Sequence, residues 1–383
     1  MEQPGSLQHL PPLNYVGRVN CVTGYGGAAR HQIHVLRSHG LRLRIVDAGS
    51  TSDPDPSGET PWMQACRKSD PLGRELPRGT IFHVAPNCLA DWRRKLPRPH
   101  ISVSVWETSR LPAAWVGILN GFDQVWCATE WQAEVYRASG VSPSKVRLVP
   151  FAVAPELYPL DGDPPLNGHK GGQKAGPTVF GAVFQWTERK APAALLGAFV
   201  TAFQRGEDVT LRLKVYEGDN PGGGVEAKVR EILAAYQLTG PAPRVEVISR
   251  RLSHAETLAF YSGLDCYVSS HRGEGFGLPI AEALLLGRQV IATDWSAPAE
   301  YAAGLYHPVA YALEAPHSMG WQPFYFADQE WAAPELGSLS AWMQEVHHGR
   351  AEAPPRAEVV ARFAGLQARA GVAARAALDE VLR

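Results

Sequence analysis

Ser269-Ser-His-Arg-Gly-Glu-Gly-Phe-Gly-Leu-Pro-Ile-Ala-Glu-Ala-Leu-Leu-Leu-Gly287 lies between two short apolar runs, Asp265 to Ser269 and Arg288 to Thr293. Each run has strand length, and the stretch between them reads as a glycine-rich turn feeding a helix. Pro279 falls in that helix's first turn, where a missing N–H costs least. The unpaired N–H groups of Gly275, Phe276, Gly277 and Leu278 and the helix dipole would together favour an anion there. Seven residues separate Glu274 from Glu282, which places one in the turn and the other about a turn inside the helix. Two carboxylates touching a phosphate would repel it. They suit sugar hydroxyls on either side of it, from which a carboxylate accepts hydrogen bonds.

Outward from this motif, strand-like runs alternate with helical patterns, as βα units around parallel sheets do. In the second half the strands are expected near Thr178 to Phe184, Thr210 to Tyr216 and Arg244 to Ser249, besides the two runs above, with helices at Ala191 to Gln204 and Val225 to Ala235. In the first half strands are expected at Arg18 to Thr23, Leu41 to Ala48, Thr80 to Ala85, His100 to Trp106 and Gln124 to Thr129. Helices over Ala28 to His39 and Glu130 to Ser139 each stop at a glycine, Gly40 and Gly140. Between the halves, Asp161 to Pro177 is polar and rich in Gly and Pro, a linker composition. Arg356 to Arg383 reads as one or two amphipathic helices, with Val359, Val360, Phe363, Leu366, Val372, Ala376 and Leu378 as apolar positions.

The expected organisation is therefore α/β, with two Rossmann-like domains at 1–160 and 178–355, a linker at 161–177, and terminal helices at 356–383. A length of 383 residues, 45% of them apolar, supports ordinary packed cores and argues against global disorder. With 37 basic against 38 acidic side chains, bulk electrostatic binding to nucleic acid or an anionic membrane is disfavoured. The five cysteines, Cys21, Cys66, Cys88, Cys127 and Cys266, form no CxxC pair and suit buried small hydrophobes in a reducing compartment. No run reaches the length of a membrane span, and the first 20 residues lack the pattern of a secretory signal. A cytoplasmic protein is expected.

The Glu-x7-Glu motif with its internal Gly-Phe-Gly-Leu-Pro, followed by Val290-Ile-Ala-Thr-Asp-Trp-Ser-Ala-Pro-Ala-Glu-Tyr301, resembles the donor-binding segment of retaining glycosyltransferases of family 4, which have the GT-B fold. That resemblance implies two domains facing across a cleft, with the C-terminal helix crossing back to the N-terminal domain. It implies that Glu274 contacts the transferred sugar, Gly275 to Leu278 the distal phosphate, and Glu282 the ribose. Phe184-Gln-Trp-Thr-Glu-Arg-Lys-Ala-Pro192 is similar to the family's Arg-Lys segment, with Lys190 matching the lysine that neutralises the diphosphate. Many members carry an arginine about six residues before that lysine, where this chain has Phe184. Arg189 and Arg272 are both candidates to replace its charge. Arg251 and Leu252 fall where members line the nucleobase.

On the other half, Thr23-Gly-Tyr-Gly-Gly-Ala-Ala29 resembles the family's loop near the reaction centre, which makes Gly24, Gly26 and Gly27 candidates for the acceptor or phosphate loop. By itself such a turn equally fits a nucleotide-binding fingerprint. Ile101-Ser-Val-Ser-Val-Trp-Glu-Thr-Ser-Arg-Leu-Pro-Ala-Ala-Trp115 puts Glu107 just past a strand and resembles a subgroup with Glu-Thr-x-x-Leu-Pro where others present a histidine near the donor sugar. His31 and His34 share a helix face but lack further ligands, as does the pair His347-His348, so no metal site is expected. Asp53-Pro-Asp55 sits in a Pro/Ser loop, not at a strand end, which disfavours a metal-dependent GT-A arrangement.

The resemblance implies transfer of a sugar from a nucleotide-diphospho-sugar to an acceptor hydroxyl with retention and without metal. The co-substrate is the nucleotide sugar, and no other cofactor is expected. A glycan, lipid carrier, metabolite, protein or modified nucleobase all remain open as acceptor. Alternatives are a GT-B enzyme of other chemistry, a phosphorylase or epimerase, or a degenerate sugar-nucleotide-binding protein, for which Phe184 is the support.

Overall fold

The computed structural model describes residues 10–21, 24–49, 75–88, 90–158, 176–203, 207–216, 224–236, 243–319 and 323–382. Cys66, Asp53-Pro-Asp55 and all of the expected linker except 176–177 lie outside them. The chain divides into two compact units, each described by itself. One comprises Met1–Val105, Ala113–Ala154 and Gly365–Arg383, the other Trp106–Pro112 and Pro155–Ala364.

The first unit holds a parallel sheet in the order β2-β1-β3-β4-β5-β6, from β1 (Leu13–Gly17), β2 (Leu43–Asp47), β3 (Thr80–His83), β4 (His100–Val103), β5 (Gln124–Cys127) and β6 (Val146–Leu148). Helices α1 (Gly24–Ser38), α2 (Ala90–Lys95), α3 (Ala113–Asn120) and α4 (Glu130–Ala138) connect them. As expected, Gly40 and Gly140 follow helix ends with φ of +82° and +105°. The first strand is not Arg18 to Thr23: it lies one run earlier, at Leu13–Gly17. Only that run sets five buried residues between β2 and β3, while Arg18 to Asn20 forms the turn beyond the strand's carboxyl end.

The second unit repeats the plan in the order β12-β11-β10-β7-β8-β9, all parallel, from β7 (Thr178–Gln185), β8 (Val209–Tyr216), β9 (Arg244–Ile248), β10 (Cys266–Ser269), β11 (Gln289–Thr293) and β12 (His307–Val309). Their connections include α5 (Pro192–Ala202), α6 (Val225–Ala234), α7 (His254–Ser262), α8 (Leu278–Leu285) and α9 (Ala297–Tyr301); α10 (Leu336–His347) packs on α5. An antiparallel hairpin of β13 (Tyr311–Glu314) and β14 (Trp331–Pro334), absent from the sequence expectation, follows β12. Strand order reverses between neighbours β7 and β10, so the connections that leave their carboxyl ends run on toward opposite edges of the sheet. Open α/β sheets bind ligands at such a switch point.

The chain ends in one helix, α11 (Arg356–Leu382). From Gly365 it belongs to the first unit, where Ala374, Ala377 and Leu378 join the core of Tyr15, Ile33, Ile81 and Ile101. Gln124 Nε2 donates to Ala377 O at 2.7 Å. Val372 is 67% exposed, contrary to expectation, and Ala376 is exposed too; the buried stripe is Ala370, Ala374 and Ala377. Trp106–Pro112, placed by the sequence with the first half, groups with the second unit. Ser109 N donates to Glu330 O at 2.9 Å and Glu330 N to Ser109 Oγ at 2.8 Å, which ties this segment to the strand end at β14.

Candidate functional site

Two loops build the site, one after β7 and one after β10. The first carries a short 3-10 turn, Glu188–Lys190, that ends at Ala191 in the left-handed region with φ of 45° and enters α5 at Pro192. The second is the glycine-rich turn, closed by Gly277 at φ of +82° before α8 starts with Pro279 in its first turn. Arg272 N donates to Arg189 O at 2.7 Å, and the Ser270 hydroxyl to Lys190 O at 2.9 Å, so the second loop is stitched to the backbone of the first.

This stitching brings four expected residues together. Lys190 Nζ donates to Glu274 Oε1 in a close ion pair, and Arg189 Nη1 lies 3.5 Å from Glu274 Oε2. Arg189 also reaches Glu107, Nη2 to Oε1 at 3.7 Å, and donates to Gly273 O at 2.8 Å. Burial alone would raise the Glu274 pKa, but the Lys190 and Arg189 charges outweigh it and hold the carboxyl down at about 2. Arg189 is held protonated by Glu107 and Glu274 against its own burial. The cluster therefore contains two cations and two carboxylates and balances itself. A recess lined by Phe184, Lys190, Tyr267, Ser269, Ser270 and Glu274 opens beside it.

Of the two arginines left open by the sequence, only Arg189 joins this group. The Arg272 side chain donates to Glu188 Oε1 at 2.8 Å, pairs closely with Glu314 and stacks on Trp331 at 5.4 Å. Glu282 stands separately on α8, where Tyr158 donates to Oε1 at 3.2 Å and Tyr261 to Oε2 at 2.9 Å. Phe276 stacks on Tyr301 with centroids 4.3 Å apart, and the Tyr301 hydroxyl donates to Gly277 O at 3.3 Å, which fixes the turn from behind. Leu278 opens α8. Arg251 and Leu252 lie in the loop after the edge strand β9, with Arg251 exposed. Gly24, Gly26 and Gly27 belong to the other unit, in the first turn of α1. A Cβ at Gly26 would fall 2.0 Å from Cys21 O, which accounts for that glycine by packing.

Tyr325, Trp106, Tyr158 and Tyr261 were not singled out from sequence. The aromatic run Phe324-Tyr-Phe326, in a loop between two short strands, was the available signal. Among the described residues no group of three or more His, Cys, Asp and Glu side chains converges in a way that could hold a metal ion. Nor is any described helix long and apolar enough to cross a membrane.

Two buried histidines make acid sensitivity predictable. Burial lowers His271, between Ser269 Oγ at 3.0 Å and Trp295 O at 3.3 Å, to about 4. It lowers His83 of the first unit, whose Nδ1 lies 2.6 Å from the Tyr15 hydroxyl, to about 4 as well. A folded value below the unfolded one, near 6.5, means that the contribution is complete above pH 6.5 and is lost as pH falls through 4. Each histidine contributes on the order of 3 kcal/mol. Thermal melts should show Tm falling between pH 6.5 and 4, with a shallower fall in His83→Gln; a flat Tm over that range would contradict this.

Residues 178–313 match the family model of Glycosyl transferases group 1. No curated protein matches the sequence. Among solved structures, the trehalose 6-phosphate synthase of Burkholderia multivorans superposes with a TM-score of 0.58 at 11% identity, covering 97% of this chain and 98% of that one. Sucrose-phosphate synthase of Thermosynechococcus elongatus gives 0.58 at 15% identity, covering 97% of each. The lipopolysaccharide outer core galactosyltransferase WaaB gives 0.59 at 12%, covering 96% of this chain and 99% of that one. The chain spans about half, 51%, of the S. aureus TarM chain, at 11% identity and a TM-score of 0.47. The α/β fold with two Rossmann-like domains is that of GT-B glycosyltransferases.

Proposed function

We propose that the protein is a retaining glycosyltransferase of family 4 type, moving a sugar from a nucleotide-diphospho-sugar to an acceptor hydroxyl without a metal ion, in the cytoplasm. The observation that carries this reading is the placement of Lys190, Arg189 and Glu274 at the switch point between β7 and β10, beside the start of α8. Departure of a nucleoside diphosphate leaves charge on phosphate oxygens, and cations with helix-terminal N–H groups are suited to stabilise it. Arg189 supplies the second cation that Phe184 does not, which supports an active site over a degenerate one. In this mechanism Lys190 is shared between Glu274 and the diphosphate, while Glu274 and Glu107 accept from hydroxyls of the transferred sugar. Glu282, preset by two phenols, accepts from the ribose. With retention, the acceptor oxygen attacks the face from which the phosphate leaves, and the leaving phosphate takes the acceptor's proton.

A thermal-shift series with UDP, GDP, ADP and TDP and their glucose conjugates tests it. A nucleotide at a hundredfold excess over its Kd should stabilise the fold by about 2.7 kcal/mol, and its sugar conjugate should be slowly hydrolysed. No hydrolysis of any conjugate would refute the reading, and a nucleotide shift without hydrolysis would leave a degenerate sugar-nucleotide-binding protein in its place.

A further inference from the structure

Glu107 is held from a direction that the motifs do not cover. Its Oε1 faces Arg189, and its Oε2 receives the Tyr325 hydroxyl at 3.3 Å. The Tyr325 ring stacks on Trp106, the residue before Glu107, with centroids 5.2 Å apart and 24° between planes. One residue thus grips both the backbone neighbour and the carboxylate of the same glutamate.

The loop presenting Tyr325 is braced by its own chain. Gln329, 1% exposed, donates from Nε2 to Phe324 O at 3.0 Å and accepts from Phe326 N at 3.3 Å. Ser109 and Glu330 exchange the two hydrogen bonds described above, and Arg110 pairs with Asp328 at 3.3 Å. All of this lies outside residues 178–313, the span of the family match. A half-buried tyrosine that donates to a candidate site carboxylate, on a loop zipped to that carboxylate's own segment, restricts the rotamers open to Glu107.

We propose that Tyr325 is a positioning residue: its hydroxyl and ring hold Glu107 in the orientation that meets the transferred sugar, which makes residues 324–330 a wall of the donor site. The proposal rests on the transferase reading. A carboxylate fixed on one oxygen by Arg189 and on the other by Tyr325 presents its remaining lone pairs in one direction, so hydroxyl recognition needs no reorganisation at the moment of transfer.

The test uses Tyr325→Phe, Glu107→Gln and the double variant in the full chain, with whichever of UDP-, GDP-, ADP- and TDP-glucose the unaltered protein hydrolyses fastest. Tyr325→Phe keeps the ring on Trp106 and removes only the donor. It should lower kcat about tenfold, leave KM for the donor within about twofold, and leave the Kd of the nucleoside diphosphate unchanged. In the Glu107→Gln background the same change should have no further effect, since Tyr325 acts through that carboxylate. Tyr325→His, which restores a ring donor, should recover part of the rate. Full kcat in Tyr325→Phe, an equal loss in both backgrounds, or a histidine variant slower than phenylalanine would overturn the assignment. If the unaltered protein hydrolyses none of the four conjugates, the transferase reading itself fails and this assignment falls with it.

Discussion

Replacing Lys190 with methionine is expected to slow donor turnover about 10²- to 10³-fold, the usual cost of deleting one charge-stabilising donor from a transition state. Methionine keeps the apolar stem and removes the ammonium group, so the loss reports charge. Stability should fall as well, because Glu274 is 8% exposed and would keep only the Arg189 contact at 3.5 Å. Leaving one member of a buried pair without its partner costs about 3–5 kcal/mol, an upper bound here since Arg189 remains.

The same substitution moves the acid limit. Glu274 at about 2 in the folded state, against an ordinary glutamate near 4.5, contributes stability that is complete above 4.5 and lost as pH falls toward 2. Without Lys190, burial pushes this carboxyl back up toward its ordinary value, so the contribution shrinks: Lys190→Met should melt lower near neutral pH and lose less than the unaltered protein as pH falls below 4.5. Lys190→Met with Glu274→Gln should recover much of the melting temperature, since neither charge remains unpaired, but none of the rate. Recovery of turnover in that double variant would show that Lys190 acts only on Glu274 and never on the leaving group. Turnover by Lys190→Met at the unaltered rate would remove the lysine from the mechanism altogether.

Much of the scaffold was legible because parallel strands buried on both faces read as apolar runs between helices, and because Gly40, Gly140, Pro279 and Gly277 punctuate those helices locally. What the sequence misplaced depends on distant pairing. Leu13 to Gly17 and Arg18 to Thr23 are both short runs, and only the register with Leu43–Asp47 and Thr80–His83 distinguishes them. The β13 and β14 hairpin is equally opaque, because Tyr311 to Glu314 becomes a strand only on meeting Trp331 to Pro334. At the site, chain neighbours were enough to put Lys190 and Arg189 in one loop and Glu274 in another. Choosing between Arg189 and Arg272 required Glu188, Glu314 and Trp331, which hold Arg272 from different parts of the chain. Tyr325 was hidden for the same reason: 218 positions separate it from the carboxylate it binds.

Gly273→Ala should be the most damaging single methyl in the second unit. A Cβ there would lie 2.0 Å from the carbonyl oxygen of Glu107, 3.0 Å from that carbonyl's carbon and 3.1 Å from the Trp295 ring. Two of those neighbours are backbone, so no side chain can swing aside, and either the segment Trp106–Pro112 or the glycine-rich turn must move. Moving the turn strains Arg189 Nη1 to Gly273 O at 2.8 Å and Glu274 N to Ser296 Oγ at 3.0 Å; moving the segment draws Glu107 from Arg189. Overpacking of this kind costs about 2–4 kcal/mol, or roughly 5–15 °C in Tm for a unit of this size. Even a displacement of about 1 Å at a reacting centre lowers turnover about a hundredfold. Gly337→Ala, near the start of α10 with nothing within 4 Å of the added carbon, is the matched control and should leave Tm level or slightly higher. Because the clash is with the carbonyl of Glu107, not with its carboxylate, Glu107→Gln cannot relieve it, and Gly273→Ala should cost the same Tm in either background. A smaller cost beside Glu107→Gln would mean that the turn feels the glutamate's charge and not its backbone, and unchanged melting and turnover in Gly273→Ala would mean that the two segments do not touch in solution.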